Sequence, residues 1–153
     1  MKKKPYSQRT DIEKIESNWK KSLSLLHNGE YSSAIVRSVT AAEIAANFVI
    51  REELQEKRNI ESDFVDVLLR WANGIEGKFN RIILPLSKRN ASEHSHFKKI
   101  KKKVEDINEE RNFIVHGGQF KDRMSAKKLI MEVKDIIELL IREYKNNFRL
   151  KKA

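Results

Sequence analysis

Phe97-Lys98-Lys99-Ile100-Lys101-Lys102-Lys103-Val104-Glu105-Asp106-Ile107-Asn108-Glu109-Glu110-Arg111-Asn112-Phe113-Ile114-Val115-His116-Gly117-Gly118 repeats an apolar residue every three or four positions. That spacing places Phe97, Ile100, Val104, Ile107 and Ile114 on one side of a helix and the lysines on the other. It predicts a helix from about Glu93 to Val115. Gly117-Gly118 stops it, because glycine takes the left-handed cap conformation without strain.

The same grammar runs outward in both directions. Upstream, Thr10-Asp11-Ile12-Glu13 is a capping box, in which Thr10 and Glu13 satisfy each other's free amides. Ile12, Ile15, Trp19, Leu23 and Leu26 then form one apolar stripe that Asn28-Gly29 ends. A second helix, rich in Ala, Val and Ile, spans about Ser32 to Glu56. Ser62 and Asp63 open a third, with Phe64, Leu68 and Trp71 expected inward and an end near Gly74 or Gly77. A shorter helical piece, about Lys78 to Lys88, is disturbed by Pro85, which lacks a backbone donor. Arg89-Asn90-Ala91-Ser92 reads as a loop. The last helix begins at Ser125 and carries Leu129, Val133, Ile136, Leu140 and Tyr144 inward. Trp19 and Trp71 read as core, and Lys151-Lys152-Ala153 should fray. There is no strand pattern, internal repeat or linker. The expected fold class is all-α: a single-domain up-and-down helical bundle of five to six helices whose long neighbours pack antiparallel. A basic N-terminal tail (1–9) precedes the bundle domain (10–148), and a basic C-terminal tail (149–153) follows it.

Composition narrows the chemistry. The 153 residues contain no Cys, which removes disulfide and thiolate chemistry and makes a reducing cytoplasm the default setting. The basic start, Met1-Lys2-Lys3-Lys4-Pro5, lacks the apolar stretch of a signal peptide, and no uninterrupted apolar run approaches a membrane span. The formal charge of +10 fits a polyanionic partner, most commonly RNA or DNA. Charge by itself does not decide the matter, since many Lys-rich chains bind no nucleic acid.

Arg111 and His116 are the two side chains on this chain best suited to cleaving a phosphodiester without metal. Arginine is a permanent forked phosphate clamp, and histidine gives or takes a proton near neutral pH. On an ideal helix Arg111 lies about 40° from Ile107, inside the apolar stripe, whereas Asn112 and His116 lie roughly 140–180° round from it. Arg111 and His116 therefore converge only if the helix end unwinds, if the Arg side chain reaches round, or if a second subunit supplies one of them. The second helix has a matching anomaly: Glu43 borders the stripe of Ile35, Val39, Ala42, Ala46 and Ile50. A buried carboxylate needs a partner. A Glu43–Arg111 contact is expected, with Asn47 one turn on in the same pocket. A purely structural ion pair across the bundle would use the same residues.

These residues also carry a resemblance. Ser33-Ala34-Ile35-Val36-Arg37-Ser38-Val39-Thr40-Ala41-Ala42-Glu43, followed far downstream by Arg111-Asn112-Phe113-Ile114-Val115-His116-Gly117, resembles the HEPN superfamily, over most of the chain in helix order. The hallmark is Arg, a polar residue and a His at four to six intervening positions. The resemblance implies a helical bundle that dimerises through the motif-bearing face and, in active members, cleaves RNA without metal at a composite site. Arg111 would stabilise the phosphate, His116 would move the proton, Asn112 would orient either, and Glu43 with Asn47 would support Arg111. It also implies a toxin–antitoxin or defence setting. Other members are non-catalytic modules that partner a nucleotidyltransferase, an antitoxin or another defence protein, so the binding-module reading stays open. A DNA-binding scaffold ranks lower, because no recognition-helix arrangement is evident.

The remaining signals are weaker. Lys98, Lys99, Lys101, Lys102 and Lys103 form either a phosphate-tracking stripe or a solvated outer face. His94 and His96 beside Glu93 make a poor metal site without a third fixed ligand, so no metal and no cofactor is expected. His27 suits the negative end of its helix. Gly117-Gly118 follows a helix rather than preceding one, so it is not a phosphate-cradling loop.

Overall fold

The computed structural model describes residues 4–118 and 122–153, and among them every regular element is helical. A 3-10 turn, Tyr6–Gln8, leads into α1 (Asp11–His27). The capping box forms as the sequence predicts: Glu13 N donates to Thr10 Oγ1 at 3.2 Å and Thr10 N donates to Glu13 Oε2 at 2.6 Å. Thr10→Ala should therefore lower stability by about 1 kcal/mol, read as a smaller urea midpoint at unchanged m-value. Gly29, at φ 80°, makes the turn that sends α2 (Tyr31–Arg51) back along α1.

The centre of the molecule is α2. Ala34, Ala41, Ala42, Ala45 and Ala46 are all fully buried, and their small side chains let neighbouring helices approach closely. α1 packs against α2, and so do α6 (Ala91–Gly117) and α7 (Arg123–Arg142). α2 runs on through a π-helical turn, Glu52–Glu56, so the helix ends where the sequence predicts. By length and mean hydropathy this stretch, Tyr31–Glu56, reaches the scale of a membrane span, but Arg37, Glu43 and Arg51 interrupt it, so no uninterrupted apolar run does. Most of its apolar window is buried by the other helices, as befits a core helix.

α3 (Ser62–Trp71) corrects an expectation. Phe64 and Trp71 face outward at 55% and 56% exposure, while Val65, Leu69 and Ala72 take the core positions. The helix is apolar on two sides, and the inner one is the side that continues into Ile75 and Phe79 of the next segment. That segment comprises α4 (Gly74–Lys78), a π-helical turn (Phe79–Ile83) and α5 (Leu84–Ser87) in unbroken succession. Pro85 does not break it, because the π-helical turn Phe79–Ile83 immediately before widens the helix where Pro85 lacks a donor.

Asn90 starts α6 by accepting from the amides of Ser92 and Glu93, and Gly118 ends it at φ 62°. Asp122 caps α7 in the same way, accepting from Ser125 N at 2.9 Å. Joined end to end, the pieces make six helices among the described residues, around one hydrophobic core that extends from Ile15 to Leu150. The bundle expectation holds at that level.

The described residues at both ends of the chain lie on the body. Lys4 pairs with Glu13, while Lys2 and Lys3 fall outside the described residues. The C-terminal tail does not stand free as expected. Leu150 is 8% exposed, its amide donates to Glu138 Oε1 at 2.8 Å, and Lys151 O accepts from Trp19 Nε1 at 2.9 Å. Apolar burial plus two hydrogen bonds to buried partners outweighs the solvation of Lys151 and Lys152. Tyr144 lies just beyond α7, half-buried, and donates to Glu53 Oε1 at 2.6 Å.

Candidate functional site

α6 stays helical through Gly117, so the motif does not unwind to bring Arg111 to His116. Instead the Arg111 side chain reaches round the helix: its Nη1 donates to Asn112 Oδ1 at 3.2 Å. Asn112 and His116, one turn apart, line a common groove of about 740 Å³ with Glu76, Glu105, Asn108, Glu109, Phe113 and Gly117. His116 is exposed; Arg111 and Asn112 are half-buried. The structure thus unites Asn112 with His116 and tethers Arg111 to the pair through Asn112. One wall of the groove belongs to α4, pinned there by Asn108 Nδ2 donating to Glu76 Oε2 at 3.0 Å.

The groove's charge is opposite to what a phosphate needs. Three carboxylates, Glu76, Glu105 and Glu109, line it, and no Lys or Arg does so among the described residues. The lysine stripe lies upstream on the same helix. Lys98, Lys99, Lys102 and Lys103 face solvent, and Lys101 pairs with the groove residue Glu105 at 2.7 Å.

Glu43 does not meet Arg111. Its Oε1 accepts from Lys78 Nζ at 3.1 Å, and Lys78, 4% exposed at the side chain, also donates to Ala72 O at 3.1 Å. A buried ammonium thus closes the C-terminal end of α3 and takes the carboxylate the sequence reading assigned to arginine. The physical reason is proximity: α4 packs directly on α2, bringing Lys78 to Glu43. Lys78 was legible in principle, since it sits in the apolar series Ile75, Lys78, Phe79, Ile82 at helical spacing. Asn47 does not join Arg111 either; its Oδ1 is buried with no hydrogen-bond partner. Glu43→Ala should accordingly cost about 1–2 kcal/mol by stripping an acceptor from Lys78, visible in the denaturation midpoint. It should leave the Arg111–Asn112 bond intact.

The histidines outside the motif have separate partners. His94 Nδ1 is 2.8 Å from Ser87 Oγ, and His96 Nε2 is 3.2 Å from Glu143. No cluster of three His, Asp or Glu suited to a metal ion occurs among the described residues. No protein-family model matches the chain, nor does any curated protein or solved structure.

Proposed function

We propose that the chain is a metal-independent endoribonuclease of HEPN type. The observation that carries this reading is the link Arg111–Asn112 placed beside exposed His116 at one end of α6. In the proposed reaction His116 accepts the proton of a ribose 2′-hydroxyl as that oxygen attacks the adjacent phosphorus. The bond from phosphorus to the 5′-oxygen breaks, and the leaving oxygen takes a proton from a histidine in its acid form. A 2′,3′-cyclic phosphate results. Arg111 offsets the charge that builds on the phosphate oxygens, the largest single contribution expected from such a group. Asn112 holds the guanidinium in place.

One copy of the chain supplies too little positive charge at the groove for this chemistry, with three carboxylates around a single histidine. The site is therefore read as composite, completed by a second copy in a homodimer. A toxin–antitoxin or other defence role belongs to the same proposal. Its test is RNA cleavage in EDTA by the wild type, Arg111→Ala and His116→Ala, with the product ends analysed for cyclic phosphate.

The carboxylates also favour a second reading. A groove lined by Glu76, Glu105, Glu109 and the half-exposed Phe113 suits a basic, partly apolar segment of a protein partner, such as an antitoxin or nucleotidyltransferase. In that reading the motif serves binding. RNA would then survive intact with all three proteins.

A further inference from the structure

The outward face of α3 is built to meet another helix. Phe64, Val67 and Trp71 of α3, with Ile60 two residues before its start, recur at spacings of four, three and four, the interval of a coiled-coil seam. All four are exposed, at 36%, 55%, 50% and 56% respectively. They are distinct from the inward set Val65, Leu69 and Ala72, which α3 already spends on the core. A stripe of large apolar side chains on a surface helix marks an interaction site more often than a solvated face.

The charges beside the stripe say what fits it. Asp63 and Arg70 flank it along the same edge, one heptad apart, both exposed. Neither forms an ion pair among the described residues, although neighbouring Asp66 is held by Arg51 at 2.7 Å. We infer that α3 pairs antiparallel with α3 of a second copy of this chain, about a two-fold axis at the level of Val65 and Asp66. In that register Phe64 stacks against the partner's Val67, and Trp71 against the partner's Ile60. The large ring thus meets the smaller aliphatic group in every layer. The same register sets Asp63 opposite the partner's Arg70 and Arg70 opposite the partner's Asp63. A parallel pairing would set Asp63 beside the partner's Leu68 and leave both charges unmatched.

Trp71 is prepared for such a contact. Arg81 lies 5.0 Å from the ring centroid and donates from Nη1 to Trp71 O at 2.8 Å, fixing the indole while leaving more than half the residue open. The stripe is short, so the association is of the weak, reversible kind. None of these residues lines the groove of Asn112 and His116, so the inference stands apart from the catalytic proposal.

Sedimentation of the full chain over a concentration series tests it. The wild type should self-associate through α3 in addition to the groove dimer of the proposed function, and Val67→Glu should abolish the α3-dependent step alone. Asp63→Arg and Arg70→Asp should each weaken it about tenfold, since a two-fold axis makes every substitution act twice. The double variant Asp63→Arg/Arg70→Asp should recover wild-type association, and His116→Ala should match the wild type throughout. All five variants should give the far-UV circular dichroism of the wild type, because the substituted side chains are exposed. A double variant as weak as the singles would overturn the register and with it the proposal. So would an unchanged mass for Val67→Glu, including the case where Trp71→Ala lowers RNA binding instead, which would make the stripe a base-stacking platform.

Discussion

His116→Ala is expected to lower RNA cleavage by about 10²–10⁴-fold, the range over which positioned proton transfer contributes. His116 is the one titratable group of the motif that both lies exposed and lines the groove. Arg111→Ala should cost about 10²–10³-fold by removing charge stabilisation from the phosphate. Arg111→Lys should not restore that loss. The guanidinium's fork can bond Asn112 Oδ1 and still present a second edge to an oxyanion, whereas an ammonium is a point charge. Neither substitution opens the core, so thermal unfolding should shift little. A composite site makes a sharper demand. Mixing Arg111→Ala with His116→Ala chains should restore part of the activity, because a mixed dimer holds one site with an arginine from one chain and a histidine from the other. Three proteins of equal activity would remove the motif from catalysis; two dead variants that fail to complement would remove the composite arrangement.

The boundary between what the sequence discloses and what it conceals follows the range of the interaction. Thr10, Asn28-Gly29 and Gly117-Gly118 act on their own helix ends, and those ends fall close to where the sequence places them. α6, by contrast, begins at Ala91, inside the stretch read as a loop, because Asn90 caps it. The stripe of α6 is equally local: Phe97, Ile100, Val104, Ile107 and Ile114 are all buried. Rotation of α3 is a different kind of choice. Its two apolar faces are both compatible with a helix, and only packing against α2 and continuity with Ile75 select Val65 and Leu69 over Phe64 and Trp71.

Charge pairing is the least legible level. Glu43 needed a cation, as its place at the edge of an apolar stripe implies. The choice between Arg111 and Lys78 depended on which helix lies nearer to α2 at that height. Lysine can bury its aliphatic stem and bring one ammonium to three oxygens, Glu43 Oε1, Leu69 O and Ala72 O. The motif itself was legible as residues and incompletely legible as a site. Wheel geometry separated Arg111 from Asn112 and His116, and the structure reunites them only through the length of one arginine side chain. Nothing in the local pattern foretold that Glu76, from a different helix, would form the groove's far wall.

Glu138→Ala should be among the most destabilising single substitutions outside the apolar core, at about 3–5 kcal/mol. Glu138 is 5% exposed and accepts from Lys134 Nζ at 2.7 Å, from Leu150 N at 2.8 Å and from Arg142. Lys134 is itself only 7% exposed, so deleting the carboxylate leaves a buried ammonium and a buried amide without their acceptor. The same deletion frees the C-terminal return that Trp19 holds through Lys151 O. Such a loss is a large share of the roughly 5–15 kcal/mol that stabilises an ordinary domain. The pH dependence identifies the charge as the cause. Burial alone would raise the Glu138 carboxyl, but the bonds from Lys134 and Leu150 and the charges of Lys134 and Arg142 outweigh it and hold the group below its ordinary 4.5. A carboxyl depressed on folding contributes stability above its unfolded value and loses it as pH falls toward the folded one. Glu53 acts in the same sense, its burial outweighed by bonds from Lys57, Tyr144 and Arg58, while Asp11, raised chiefly by burial, acts in the opposite one. Denaturant titrations should therefore show the gap between wild type and Glu138→Ala at its widest near neutral pH and narrowing steadily below about pH 4.5. Glu138→Gln, which keeps an acceptor but no charge, should fall between them at neutral pH. A gap that stays constant down through the acid range would mean that Glu138 holds the fold by packing and not by its charge.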